Sequence, residues 1–235
     1  MKRKPVPTMN GLFLFPLIIT MMRISYILFF IPALSFGQLS SEIENLYGEL
    51  SKSKNVESAH IGYGMSESKV YKLFEEINKK ASDKEVEYIA FKGNSVAKAY
   101  ASYAVFSRKL KILDQLFDDY IKNNDSISII QGCVGSKSHL ADELYRMIFW
   151  EKDNIKMTEV YRKHKASIKT EHELVNFIEL FSIVESKWKV EEIDSVLIKF
   201  DQMVLNNPSS PQSLVELITG CYYYIEKNIL NIMIN

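Results

Sequence analysis

Residues 83–108 have the sequence DKEVEYIAFKGNSVAKAYASYAVFSR, in which two helix-forming stretches flank a polar corner at Gly93, Asn94 and Ser95. Alanine, which has the highest helix propensity, recurs through the second stretch. Gly93 can adopt a positive φ at the end of the first helix. Asn94 or Ser95 can cap the second helix by accepting a hydrogen bond from a free backbone N–H. The stretch therefore predicts a short helix, a tight corner and a second helix.

The second predicted helix has apolar side chains over most of its circumference. Bulky and small residues form two separate stripes, each at helical spacing. The bulky residues are Val96, Tyr100 and Tyr103, and the small ones are Ala97, Ala101 and Ala104. Because alanine allows neighbouring helices to approach closely, the pattern predicts a buried helix packed between others.

The segment Asn94–Ala104 resembles the second helix of HEAT and armadillo repeats, in which a capped turn, a valine and spaced alanines recur. The resemblance covers one helical pair of the 235 residues. The proline that such repeats often carry at the turn is missing here, and no second copy stands out. The resemblance implies α-solenoid packing and binding of other macromolecules, and it brings no catalytic residues with it.

Helical periodicity also recurs through most of the chain after Gln38. The further segments with this pattern are 41–50, 66–77, 109–121, 137–150, 174–184, 191–205 and the segment after Pro211. Ser126–Ile130 alternates like a strand, but because no partner strand is visible we interpret it as an extended lead-in to the next helix. The predicted fold is all-α, with antiparallel helical pairs stacked as a degenerate HEAT-like solenoid. The alternative is a non-repetitive helical bundle.

Two apolar runs, Leu12–Met22 and Ile24–Leu34, give the first 37 residues a composition of their own. The second run predicts a signal peptide that starts near Met21 or Met22, with Arg23 as its positive n-region. Ser35 and Gly37 are small residues at the positions that precede a cut, so the mature chain would begin at Gln38. We therefore expect a leader over 1–37 and a single α-helical domain over 38–235, exported to the periplasm or secreted.

An uncleaved membrane anchor is the alternative for this region. It would join both apolar runs and place Arg23 near the middle of the membrane, where an unpaired arginine costs about 2.5–3.5 kcal/mol or more. Pro16 and Pro32 would interrupt such a helix further. In the alternative, the protein contacts the inner membrane through this segment only.

The charge balance disfavours nucleic acid as a partner. The chain has 29 basic and 29 acidic residues, and the predicted leader contains four of the basic ones and no acidic one. The mature chain would therefore carry a net charge of −4, whereas nucleic-acid binding requires a clustered basic surface. Hydrophobic residues make up 47% of the chain, which favours a packed core over disorder.

The two cysteines, Cys133 and Cys221, can be interpreted in two ways. In an oxidising compartment an even pair can form a disulfide. Free cysteines, by contrast, pack as small hydrophobic side chains. The sequence favours free thiols, because nothing local places the two within bonding distance, and the disulfide is the alternative.

Motifs that carry chemistry are scarce. The nearest approach to a metal set is His164, Glu171, His172 and Glu173, a spacing that ordinary surface composition also produces. Cys133 follows a glycine and could act as a nucleophile, but no histidine is placed by a motif to activate it. We therefore expect no cofactor, no metal and no catalytic residue that the sequence can identify.

A non-catalytic protein–protein interaction module is the predicted function, because the residues are used for a helical core rather than for polar constellations. Its partner would be another protein. The alternatives are an inhibitor or immunity-type protein with one specific partner, and an enzyme whose site is dispersed along the chain. A deep pocket that holds His139 or Cys133 beside carboxylates would favour the enzyme.

Overall fold

A four-stranded mixed β-sheet is the feature that separates the observed fold from the predicted one. The computed structural model describes residues 39–165, 170 and 186–221. Its strands occur in the order β2-β1-β3-β4. Their bounds are β1 Asn55–Ile61, β2 Ser66–Glu67, β3 Ser126–Gly132 and β4 Val134–His139. The fold combines helices with a sheet, so the all-α prediction is wrong in both its solenoid and its bundle form.

Helices account for most of the remaining described chain. Their bounds are α1 Ser41–Leu50, α2 Lys69–Lys80, α3 Asp83–Lys92, α4 Ser95–Ser107, α5 Leu113–Asn123, α6 Leu140–Lys165 and α7 Val190–Leu205. Residues 212–221 are helical as well. Within the described residues, no helix is both long enough and apolar enough to span a bilayer.

Strands β1 and β3 pair in parallel, and this pairing explains why the sheet escaped prediction. Parallel strands need a crossover connection, and here helices α2 to α5 lie between the two strands in the sequence. Ser126–Ile130, which the sequence suggested to be a lead-in, is in fact most of β3 and pairs with β4 on its other side. A local pattern could not reveal a partner roughly 70 residues away in the chain.

The central helical pair is confirmed. Ser82 and Glu85 form a reciprocal capping box at the start of α3, and the Asn94 side chain accepts a hydrogen bond from the Ala97 N–H at 2.9 Å to cap α4. The small stripe of α4 is buried, as predicted. Local capping and helix propensity were therefore enough to define this part of the fold.

Glu85 joins the N-terminus of α3 to the segment that precedes α1. Its carboxylate accepts hydrogen bonds from the backbone N–H and the hydroxyl of Ser82, and from the same two groups of Ser40, over 2.7–2.9 Å. Partial burial opposes ionisation, but these four hydrogen bonds outweigh it and lower the pKa of Glu85 to about 2. The carboxylate is therefore ionised at neutral pH and holds the two segments together.

Gly93 does not adopt the positive φ that the sequence indicated. Its φ is −66° and its ψ is 168°, an extended conformation open to any residue. Glycine is required there for a different reason, which is space. A Cβ at this position would lie 2.6 Å from the Ile89 carbonyl oxygen and 3.2 Å from the Ala97 Cβ.

We expect Gly93→Ala to destabilise the protein by about 1–3 kcal/mol, because the corner between α3 and α4 would have to open. Gly48 is the matched control, since it lies inside α1 and a Cβ added there would meet no atom within 4 Å. Gly48→Ala should stabilise the protein by about 0.5–1 kcal/mol. Urea denaturation measures both effects, and two changes of the same sign would contradict the explanation.

Several element boundaries also differ from their predictions. The helix expected from Lys109 begins at Leu113, since Lys109 has a φ of +55°. The helix expected from Lys137 begins at Leu140, because the preceding residues form β4. The helix expected from residue 66 begins at Lys69, because residues 66–67 form β2 and Ser68 is the N-cap. The predicted leader over 1–37 lies outside the described residues, so the leader and the single-domain boundary at 38 stay predictions.

Candidate functional site

A groove with a cavity volume of about 380 Å³ lies between the sheet and helices α2, α4 and α6. We call it the sheet groove. Helices α2 and α4 supply its aromatic residues, Tyr71, Phe74, Tyr100 and Tyr103. Strands β1 and β3 supply Val56, Glu57, Ser58, Ile127, Ile129, Ile130 and Gln131, and helix α6 supplies Leu140, Glu143 and Met147. Its apolar lining with a few polar groups is typical of a binding site.

The four aromatic rings contact one another and form one wall of the groove. Phe74 stacks on Tyr100 with ring centroids 4.8 Å apart, and Tyr71 and Tyr103 each meet Phe74 edge-on at 5.7 Å. Phe74 and Tyr100 are buried, whereas Tyr103 is 45% exposed. The wall is therefore fixed by packing on its inner side and presents one ring to solvent.

Helical spacing brings these rings together. Tyr71 and Phe74 are three residues apart on α2, and Tyr100 and Tyr103 are three residues apart on α4. Residues at this spacing lie on the same face of a helix. The bulky stripe predicted for α4 is thus present, and part of it faces a groove.

Tyr100 fixes the backbone of Glu57 at an irregular point of the sheet. The pairing between β1 and β3 changes register between Glu57 and Ile61. The Tyr100 hydroxyl accepts a hydrogen bond from the Glu57 N–H at 2.8 Å and donates one to the Glu57 carbonyl oxygen at 2.7 Å. Burial raises the pKa of Tyr100, so the phenol keeps the proton that it donates. Irregular points of a sheet, such as β-bulges, often aim a side chain at a site.

The Glu57 side chain is held as well. Its Oε2 accepts a hydrogen bond from the Ser68 hydroxyl at 2.6 Å, and that hydroxyl in turn accepts the Tyr71 N–H at 2.9 Å as the N-cap of α2. Ser68 is buried, whereas Glu57 is half-buried. Within the described part of the chain, no Lys, Arg or His forms an ion pair with the Glu57 carboxylate.

Glu143, the second carboxylate of the groove, is neutralised within α6. Its Oε1 accepts a hydrogen bond from Arg146 Nη1 at 2.6 Å, in an i, i+3 ion pair. Burial, Tyr103 and Glu75 together raise the pKa of Tyr71, so its hydroxyl is protonated at neutral pH. The groove therefore offers a phenol donor, one paired carboxylate and one unpaired carboxylate.

The two cysteines lie away from the sheet groove. Cys133 is exposed in the tight loop between β3 and β4, next to Gly132 at a φ of +58°. Cys221 is half-buried and is the last described residue of the helix that begins at residue 212, and burial raises the pKa of its thiol. Both are free thiols in this structure, and a disulfide between them stays the untested alternative.

The candidate metal set His164, Glu171, His172 and Glu173 falls on side chains that the structure does not describe. Among the side chains that it does describe, no group of three or more His, Cys, Asp or Glu is arranged to hold a metal ion. His139, which would have marked an enzyme pocket, lies at the end of β4 and does not line the sheet groove.

Comparison of the chain with protein-family models, with curated proteins and with solved structures found no match. The resemblance to HEAT and armadillo repeats therefore stays confined to one helical pair, within a fold that is not a solenoid. The function has to be inferred from the groove itself.

Proposed function

We propose that the protein is a non-catalytic interaction protein that recognises another protein through the sheet groove. The observation that carries the proposal is Tyr103, the exposed ring of an aromatic wall whose other members are buried or half-buried. Tyrosine, tryptophan and arginine dominate the binding energy of protein interfaces, especially where they border a desolvated pocket. Tyr103 borders the sheet groove and would lose its solvent exposure when a partner covers it.

The shape of the sheet groove also supports a protein partner. A cavity of about 380 Å³ is large enough for a few side chains, and the groove is open to solvent along one side. Met147 lines the α6 side, and the flexible thioether of methionine adapts to different neighbouring groups. The groove can therefore accept side chains that project from the surface of a folded partner or from an extended segment.

The compartment in which the partner is found depends on the N-terminal leader. The number of partners depends on the specificity of the groove. If the leader is cleaved, the partner is a periplasmic or extracellular protein. An inhibitor or immunity-type protein would use the same groove for one tight partner, whereas a general interaction module would contact several.

Site-specific photocrosslinking tests this proposal. Replacing Tyr103 with p-benzoylphenylalanine in the full chain should give discrete adducts with a second protein in cells, and mass spectrometry should identify that protein. Tyr63 is the matched control, because it is 98% exposed between β1 and β2 and does not line the groove. The same substitution at Tyr63 should give no such adduct.

The adducts must also depend on the groove. When Tyr71→Ala is added to the chain that carries p-benzoylphenylalanine in place of Tyr103, the adduct yield should fall several-fold. The reason is that Tyr71 forms part of the same wall. Equal adducts at Tyr103 and Tyr63, or no adduct at Tyr103, would contradict the proposal. One adduct of a single mass would favour the inhibitor-type alternative over the general module.

A further inference from the structure

We propose that the sheet groove receives a positively charged side chain, lysine or arginine, with Glu57 as its counter-ion. This inference rests on the proposed function and goes beyond it, because it specifies the chemistry of the residue that the partner inserts. Three observations support it: the charge of the groove, the way in which Glu57 is fixed, and the rings that surround it.

The charge of the groove is unbalanced at one point. Among the residues that the structure describes, its lining contains two carboxylates, Glu57 and Glu143, and no lysine or arginine. Arg146 neutralises Glu143 from the next turn of α6. Glu57 has no ion-pair partner among the described residues, although it is half-buried beside apolar and aromatic groups. A carboxylate that has lost part of its hydration is stabilised by an incoming cation.

Glu57 is also held in place more firmly than a surface carboxylate. Tyr100 binds both of its backbone polar groups, and Ser68 donates to its Oε2. Ser68 is itself fixed by its role as the cap of α2. Binding a cation would therefore order few additional groups, and a preorganised site loses less entropy on binding. One carboxylate oxygen, Oε1, has no hydrogen-bond donor in the described structure.

The aromatic wall suits the same ligand. The faces of tyrosine and phenylalanine rings carry partial negative charge and attract ammonium and guanidinium groups. Tyr103 is exposed and Tyr71 is half-buried, and their rings meet Phe74 at 82° and 69°, so neither ring is stacked flat against it. The apolar stem of a lysine or arginine can contact Ile129 and Met147 while its charged end reaches Glu57.

Peptide titrations of the full chain test this inference. The probe is the capped tripeptide acetyl-Gly-Arg-Gly-amide, and its control has citrulline, a neutral analogue of nearly the same shape, in place of arginine. Binding is followed by NMR through the methyl groups of Met147 and Ile129. We expect the arginine peptide to shift these signals to saturation, and the citrulline peptide to bind at least about tenfold more weakly.

Two matched variants locate the effect. Glu57→Gln keeps an oxygen that can accept from Ser68, so the fold should be retained while the affinity for the arginine peptide falls about tenfold, to that of the citrulline peptide. Glu44→Gln is the control, because Glu44 is an exposed carboxylate that does not line the groove, and it should change the affinity by less than about twofold. Circular dichroism checks that both variants are folded.

Three results would overturn the inference: equal binding of the arginine and citrulline peptides, an unchanged affinity in Glu57→Gln, or no saturable binding of either peptide. These results are separable from a failure of the proposed function. If the Tyr103 adducts form but are unaffected by Glu57→Gln, the basic side chain is excluded and the groove remains the interaction site. If the Tyr103 adducts do not form, the proposed function itself fails.

Discussion

Phe200→Ala is expected to lower the free energy of unfolding by about 3–5 kcal/mol, the range for truncating a fully buried phenylalanine. Phe200 lies on α7 and stacks on Phe117 of α5, with ring centroids 3.7 Å apart and planes within 3° of parallel. Neither ring is accessible to solvent. Removing one ring therefore leaves a cavity where α7 packs on α5.

Ile198→Ala is the control for this prediction, because Ile198 is on the same helix but is 54% exposed. Ile198→Ala should change the free energy of unfolding by less than about 0.5 kcal/mol. Urea denaturation followed by circular dichroism measures both variants. The Phe117→Ala and Phe200→Ala effects should also be non-additive, since the two rings contact each other. Similar losses of unfolding free energy in Ile198→Ala and Phe200→Ala would show that α7 is not packed as described.

Tyr100→Phe is expected to destabilise the protein by about 2 kcal/mol, although it removes only one oxygen atom. That oxygen binds both the N–H and the carbonyl of Glu57, and its loss leaves two partly buried backbone groups without a partner. The same change should weaken binding of the arginine peptide, because Glu57 is then less firmly positioned. Chemical denaturation and the NMR titration measure the two effects.

Tyr103→Phe provides the comparison, since Tyr103 is on the same helix and no hydrogen bond of its hydroxyl is present in the described structure. Its free energy of unfolding should change by less than about 0.5 kcal/mol. If Tyr100→Phe changes the free energy of unfolding as little as Tyr103→Phe does, the Tyr100 hydroxyl does not stabilise the register shift. Glu57 would then not be preorganised by Tyr100.

The central helical pair was predictable because its causes are local. The Ser82 capping box, the Asn94 cap and the alanine stripe of α4 each depend on residues within one or two turns of one another. Such features can be recognised in a sequence without knowledge of the rest of the fold. Even here the role of Gly93 was misinterpreted, because close packing against Ile89 and Ala97 is a tertiary contact.

The sheet was missed because its causes are not local. Strand β3 pairs with β1 across four intervening helices, and β1 has the mixed sequence NVESAHI, which shows no clear alternation of apolar and polar residues. The sequence therefore made β3 look isolated, and a lone strand of that length is not stable. The all-α prediction followed from this misinterpretation together with the failure to recognise β1 and β4 as strands.

Only part of the groove could be predicted from the sequence. Tyr100 and Tyr103 were recognised as part of a bulky stripe, but a stripe does not show whether it meets a neighbouring helix or lines a cavity. Glu57 gave no signal, because its importance depends on Ser68 and Tyr100, which lie 11 and 43 residues away in the sequence. Only the fold brings these three residues together.

Photocrosslinking identifies the partner, which is then purified by itself. Its affinity for the full chain is the most direct test of the sheet groove as the recognition site. Isothermal titration calorimetry should compare the wild type with Tyr103→Ala and Tyr63→Ala. We predict that Tyr103→Ala raises the dissociation constant by about tenfold or more, whereas Tyr63→Ala leaves it unchanged. Equal affinities for all three proteins would contradict recognition through the sheet groove.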